Sequence, residues 1–78
     1  MTETQTAAEL VEYMAKALVS EPDAVQIRVL ANEQTLELET AEADRGRVIG
    51  RQGRVAKAMR AVLAASRVGA TWRLEIID

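Results

Sequence analysis

An α+β domain, with a three-stranded mixed sheet and three helices packed on one face, is the fold class this sequence predicts. Three observations predict it. Segments 25–29, 35–39 and 71–77 alternate apolar with polar residues, as half-buried strands do. Segments 7–18 and 54–67 repeat their apolar residues at helical spacing instead. With 78 residues, the chain has room for one domain and one thin core.

The elements follow in order. Thr6-Ala7-Ala8-Glu9 reads as a capping box, so residues 1–5 are expected to fray and the ordered part to run from about 6 to 77. Apolar residues at 7, 10, 11, 14 and 18 then form one stripe, with Tyr13 near its edge as a boundary residue. Pro22 disfavours helix at Glu21, which predicts a stop near Ser20. Val25, Ile27 and Val29 mark a first strand, and Leu36 and Leu38 a second. The short link 31–34 between them predicts an antiparallel hairpin. Residues 41–49 suit a short helix, weakened by Gly46.

Arg54 to Arg67 forms the clearest helix, with Val55, Met59, Val62, Leu63 and Ser66 on one side and a strip of small residues at Ala58, Ala61 and Ala65. Gly69 ends that segment, and Trp72, Leu74 and Ile76 share the core side of a third strand. The order is α-β-β-α-α-β. A crossover through two helices joins parallel strands and is right-handed, which places the second strand in the centre. Glu37 and Glu39 then point away from the helices, flanked by Arg28 and Arg73 on the neighbouring strands. That open face is acidic along its middle and a poor surface for nucleic acid.

Composition removes several function classes. The chain has no Cys and no His, so disulfides, thiolate metal sites and the usual general base are absent. No metal, no cofactor and no catalytic constellation is expected, and the chain does not read as an enzyme. It has no long apolar run and no signal peptide, which predicts a cytoplasmic protein without membrane association. Net charge is only −2, but it is unevenly spread. Residues 1–44 hold ten acids against Lys16 and Arg28, whereas residues 45–60 hold Arg45, Arg47, Arg51, Arg54, Lys57 and Arg60 with no acid. A local basic cluster is the footprint of a nucleic-acid binder, although a solvated helix face gives the same run.

The centre of that cluster is Val48-Ile49-Gly50-Arg51-Gln52-Gly53-Arg54. Two glycines between two helices let bare backbone approach a phosphodiester, and the N–H groups and dipole of the second helix favour an anion there. Arg51 adds charge and Gln52 a hydrogen-bond donor. The second helix also begins with Arg54 and Lys57, the wrong charge for a helix N-terminus, at a cost of a few tenths to about 1 kcal/mol. Such a violation is expected where a site overrides stability. Neither a Walker loop nor a dinucleotide fingerprint fits the glycine spacing.

Gly46-Arg47-Val48-Ile49-Gly50-Arg51-Gln52-Gly53-Arg54 resembles the signature of KH domains, with a G-x-x-G loop between two helices. The element order resembles the type II arrangement. Size and the continuation Val55-Ala56-Lys57-Ala58-Met59-Arg60 resemble the KhpA family of small stand-alone bacterial KH proteins. The resemblance covers roughly residues 7–77.

It implies a narrow groove for about four nucleotides of single-stranded RNA, with the loop clamping the backbone. Single-stranded DNA is also tolerated, because such a loop reads phosphates. Gly50, Arg51, Gln52 and Gly53 match the loop, Ile49 the apolar residue before it, and Arg54 and Lys57 the basic start of the second helix. Arg47 and Arg45 flank the groove more loosely, and Arg45 stands where relatives often have an apolar residue. The family further implies post-transcriptional regulation or RNA chaperoning, a homodimer, and a heterodimer with a larger KH protein of the Jag (KhpB) type. A module acting mainly through such protein contacts is the alternative. With no Phe, one Trp and one Tyr, the chain lacks the aromatic platforms of other RNA folds.

Overall fold

The computed structural model describes residues 3–67 and 69–77. Helix α1 (Glu3–Leu18) leads through a 3-10 turn (Pro22–Ala24) into strand β1 (Gln26–Leu30). Strand β2 (Thr35–Glu39), a 3-10 turn (Glu42–Asp44), helix α2 (Arg45–Ile49), helix α3 (Arg54–Ala65) and strand β3 (Arg73–Ile76) follow. The sheet order is β1-β2-β3, antiparallel then parallel, as the crossover argument requires. This is the α+β, type II KH arrangement expected from the sequence.

One core joins all the layers. Ala7, Val11 and Ala15 of α1, Leu36 and Leu38 of β2, Val48 of α2, Met59 and Leu63 of α3, and Leu74 of β3 are buried together. Ile27, Trp72 and Ile76 are half-buried against them, so Trp72 packs as a core residue. Each fully buried Leu contributes about 1.5–3 kcal/mol relative to exposure, so few residues carry most of the stability of so small a core. None of the helices among the described residues is long and apolar enough to cross a membrane.

Several expectations are corrected. Helix α1 begins at Glu3, so Thr6 lies inside it and does not act as its N-cap. Met1 and Thr2 lie outside the described residues. The segment 41–49 is split, because a 3-10 turn precedes the single turn of α2. Helix α3 stops at Ala65, with Ser66 in extended conformation and its hydroxyl donating to Leu63 O at 2.8 Å. The buried stripe of α3 is Ala56, Met59 and Leu63, one residue off the expected centre, which leaves Val62 49% exposed. Tyr13 is no boundary residue: it is 77% exposed.

The open face of the sheet differs on one side. Arg28 lies opposite Glu37 and reaches it at 3.8 Å, a long contact between an exposed guanidinium and a half-buried carboxylate that is of little net worth. The β3 residue opposite Glu37 is Glu75, while Arg73 falls opposite Thr35. Arg73 keeps to the open face as expected, but Glu37 meets Glu75 on that side, so the face is more acidic there. At the outer edge of β3, Arg60 Nε donates to Leu74 O at 3.0 Å.

Asp44 ties the helices together. It is buried, and its Oδ1 accepts from Ser20 N at 3.0 Å and Ser20 Oγ at 2.8 Å, while Oδ2 accepts from Glu21 N at 3.1 Å. The end of α1 is thereby fastened to the entry of α2, across 24 residues. The Ser20 backbone N–H is the main cause that lowers the Asp44 pKa below the usual carboxylate value. Burial opposes this, while the Ser20 hydroxyl, the Glu21 N–H and the Arg47 charge reinforce it. A depressed folded-state pKa gives stability that is present above the ordinary Asp range and lost as pH falls through the folded value. Asp44→Asn is therefore expected to lower Tm at neutral pH and to weaken the acid-side fall of Tm. Thermal unfolding of both proteins from neutral to acid pH measures this.

Candidate nucleic-acid interface

The loop lies between α2, which ends at Ile49, and α3, which starts at Arg54. Gly50 N donates to Gly46 O at 2.8 Å and closes α2, and Gly53 N donates to Gly50 O at 3.1 Å. Arg54 N donates to Arg51 O. Thus two N–H groups at the start of α3 are already used by loop carbonyls. Side-chain charge is left with a larger share of any anion contact than the sequence implied.

The backbone of this turn is unusual at three positions. Gly50 has φ 78° and ψ 171°, a conformation essentially restricted to glycine. A Cβ there would lie 2.8 Å from both Val55 Cβ and Val55 N, so the loop backbone rests directly on the first turn of α3. Gly53 is left-handed at φ 74°, ψ 16°, but a Cβ would meet nothing within 4 Å. Between them Gln52 is also left-handed, at φ 57°, ψ 25°, which costs a non-glycine residue roughly 1–2 kcal/mol. The strain falls at an exposed tip residue.

The predicted site residues cluster on this one connection. Gly50, Arg51, Gln52 and Gly53 form the turn, with Ile49 before it and Arg54 after it. Arg51, Gln52, Arg54 and Lys57 are exposed, and Ile49 is 37% exposed at the end of α2. Arg47 is exposed on α2, where its charge also acts on Asp44. Among the described residues, Arg51, Arg54 and Lys57 form no ion pair. Arg45, the first residue of α2, is half-buried. Val48, beside Ile49, is wholly buried and anchors α2.

Two surface hollows flank α3. One, of about 380 Å³, lies between α3 and β3 and is lined by Arg60, Leu63, Ala64, Trp72, Arg73 and neighbours. The other, of about 430 Å³, lies between α1 and α3; among its liners are Tyr13, Leu18, Arg54, Ala58 and Val62. Sequence reasoning missed the second, because Tyr13 and Val62 were assigned to buried or boundary positions. Their exposure depends on how α1 and α3 pack, which helical periodicity does not give.

A glycine turn between two helices, on an α-β-β-α-α-β domain with a β1-β2-β3 mixed sheet, defines a KH domain of type II. Residues 8–76 match the family described as KhpA/KhpB, KH domain. The chain is 50% identical over 62 residues to the RNA-binding protein KhpA of Clostridium acetobutylicum, covering 77% of this chain and 83% of that one. It is 38% identical, over the full length of both chains, to the RNA-binding protein KhpA of Borreliella burgdorferi. The RNA-binding protein KhpA of Streptomyces coelicolor is 39% identical over 72 residues, 90% of each chain. The chain belongs to the KhpA family. No solved structure matches it.

The two loop glycines are expected to differ in what they tolerate. Gly53→Ala should cost about 1–2 kcal/mol, the price of a left-handed alanine in open space. Gly50→Ala should cost more, because its methyl meets Val55 as well. Urea unfolding of the two variants measures the order, and equal losses would contradict the close approach to Val55.

Proposed function

We propose that this chain is a cytoplasmic RNA-binding protein that clamps single-stranded RNA at the Gly50–Gly53 turn, in post-transcriptional regulation or as an RNA chaperone. The observation that carries this reading is the set of exposed cations, Arg51, Arg54 and Lys57, left without ion pairs around a turn bared of side chains. Arg47 and Ile49 border the same turn, the first adding charge and the second an apolar contact for a base. Gln52 offers an amide for a phosphate oxygen. The relatives' names, RNA-binding protein KhpA, agree with it. The acidic open face of the sheet supports placing the strand on the helical side. The turn contacts phosphates, so single-stranded DNA is expected to bind as well.

A second reading concerns partners. Ala58, Ala61 and Ala65 are exposed along α3, and a strip of small residues lets another helix approach closely. Homodimer formation, or pairing with a larger KH protein of the KhpB type, would give a one-groove protein a second groove and raise its effective affinity. The family description, which names KhpA and KhpB together, agrees with such pairing.

Two experiments test these readings. Replacing both loop residues, Arg51→Asp and Gln52→Asp, should reduce binding of a labelled single-stranded RNA by about tenfold or more, read by fluorescence anisotropy. Asp tolerates the left-handed conformation at position 52, so circular dichroism should be unchanged. Wild-type affinity should fall with salt at a slope near −0.7 per phosphate neutralised, and unchanged binding by the double variant would exclude the clamp. For the second reading, sedimentation should show wild-type dimers that Ala61→Asp converts to monomers. A wild-type monomer at every concentration would exclude the homodimer.

A further inference from the structure

Helix α2 carries Arg47 and Ile49 and delivers the chain to Gly50, yet it is only five residues long. A helix of barely more than one turn does not hold itself, so its direction is set by what it is attached to. One attachment is Val48, the one buried residue of α2. A second is the approach of Gly50 to Val55. At about 1.5 Å per residue these two points are only about 3 Å apart along the helix, too close to fix its direction. Asp44 lies on the other side of Val48, about 6 Å away on the same scale.

Asp44 stands at the N-cap of α2, where a carboxylate ordinarily accepts from an amide of its own first turn. It makes no such bond. Both of its oxygens reach across the fold instead. Val19 N still donates back into α1, to Ala15 O at 3.2 Å, but the next two amides, of Ser20 and Glu21, donate to Asp44. The Ser20 hydroxyl adds a third bond at 2.8 Å. Helix α1 is itself seated in the core by Ala7, Val11 and Ala15. The entry of a weak helix is thus pinned to the end of a strong one.

We infer that Asp44 is a positioning residue for RNA binding: by pinning the entry of α2 to the end of α1, it sets the direction in which α2 presents Arg47, Ile49 and the glycine turn. The inference rests on the clamp reading. Asp44 is buried, so it acts through α2 rather than by contact with the strand. A binding constellation works when its groups are held to within about 0.5 Å by supporting hydrogen bonds. Loss of the pin therefore costs affinity in the folded protein and not only stability. Ser20 acts through Asp44 in the same way, but more weakly, because its backbone N–H survives replacement of its side chain.

The test separates position from stability. Asp44→Asn turns one acceptor of the pin into a donor, Ser20→Ala removes one bond, and Ser20→Thr keeps the hydroxyl. Ile27→Ala loosens the core at the edge strand β1 and leaves the pin alone. These variants, wild type and the Arg51→Asp, Gln52→Asp double variant are titrated with a labelled single-stranded RNA by anisotropy, each well below its Tm. The backbone amide signals of residues 49–53 are recorded by NMR without RNA. Asp44→Asn is expected to weaken binding about fivefold or more and to shift those signals. Ser20→Ala is expected to weaken binding about twofold, with Ser20→Thr restoring it. Ile27→Ala should lower Tm and leave affinity and signals unchanged. Wild-type affinity in Asp44→Asn, or a loss no larger than that of Ile27→Ala, overturns the inference. If Asp44→Asn does not fold, Ser20→Ala decides, and wild-type affinity there overturns it. In either case the clamp stands as long as the double variant loses the RNA. Full binding by the double variant rejects the clamp, and this inference with it, whatever Asp44 does.

Discussion

The approach of the Gly50 backbone to Val55 is the constraint on which the arrangement of the helices depends. It lets the chain reverse between α2 and α3 within four residues while both helices keep their contact with the core, through Val48 on one side and Ala56 and Met59 on the other. A side chain at position 50 would push the turn away from α3. One of the two helices would then lose its buried anchor. The turn is consequently thin as well as tight: it has little room for side chains near the backbone, and its charged residues are thrown outward. A feature required for packing thereby produces a surface suited to a polyanion.

Charge organises the rest of the molecule around that turn. The acids lie mostly before α2 and the bases cluster from Arg45 to Arg60. In three dimensions this becomes an acidic sheet face, with Glu37 between Arg28 and Glu75, and a basic helical turn. The bases could have been neutralised by neighbouring acids, as Lys16 is by Glu12 at 2.9 Å one helical turn away. Arg51, Arg54 and Lys57 are instead kept apart from acids, around the N-terminal end of α3 where the dipole disfavours them. Asp44, which adjoins the basic segment, is buried and engaged by Ser20 and Glu21, so it fastens the entry of α2.

Much of the architecture could be read from periodicity. Leu36 and Leu38 against Glu37 and Glu39 leave no doubt about the central strand, and the glycine pair locates the site. What escaped was nonlocal. The partners of Asp44 lie 23 and 24 residues away, and no local pattern marks Asp44 as buried. The strained Gln52 looks like any polar loop residue, because its conformation is imposed by the glycines around it. Tyr13 and Val62 fit an apolar stripe on a helical wheel, yet the buried stripes are narrower than the wheel allows and leave both residues exposed. The pairing of β3 with β2 was likewise not legible, because alternation fixes which face a residue takes and not which residue it lies opposite.

The hydrogen bond from Arg60 to the Leu74 carbonyl has a consequence for the life of the chain before it reaches any partner. β3 is an edge strand, and a bare row of edge carbonyls and amides is a template on which newly made copies can pair and precipitate. A guanidinium seated on that row interrupts the template and brings charge to a place where a neighbouring strand would have to bury it. The same basic segment that surrounds the glycine turn thus also guards this edge of the sheet.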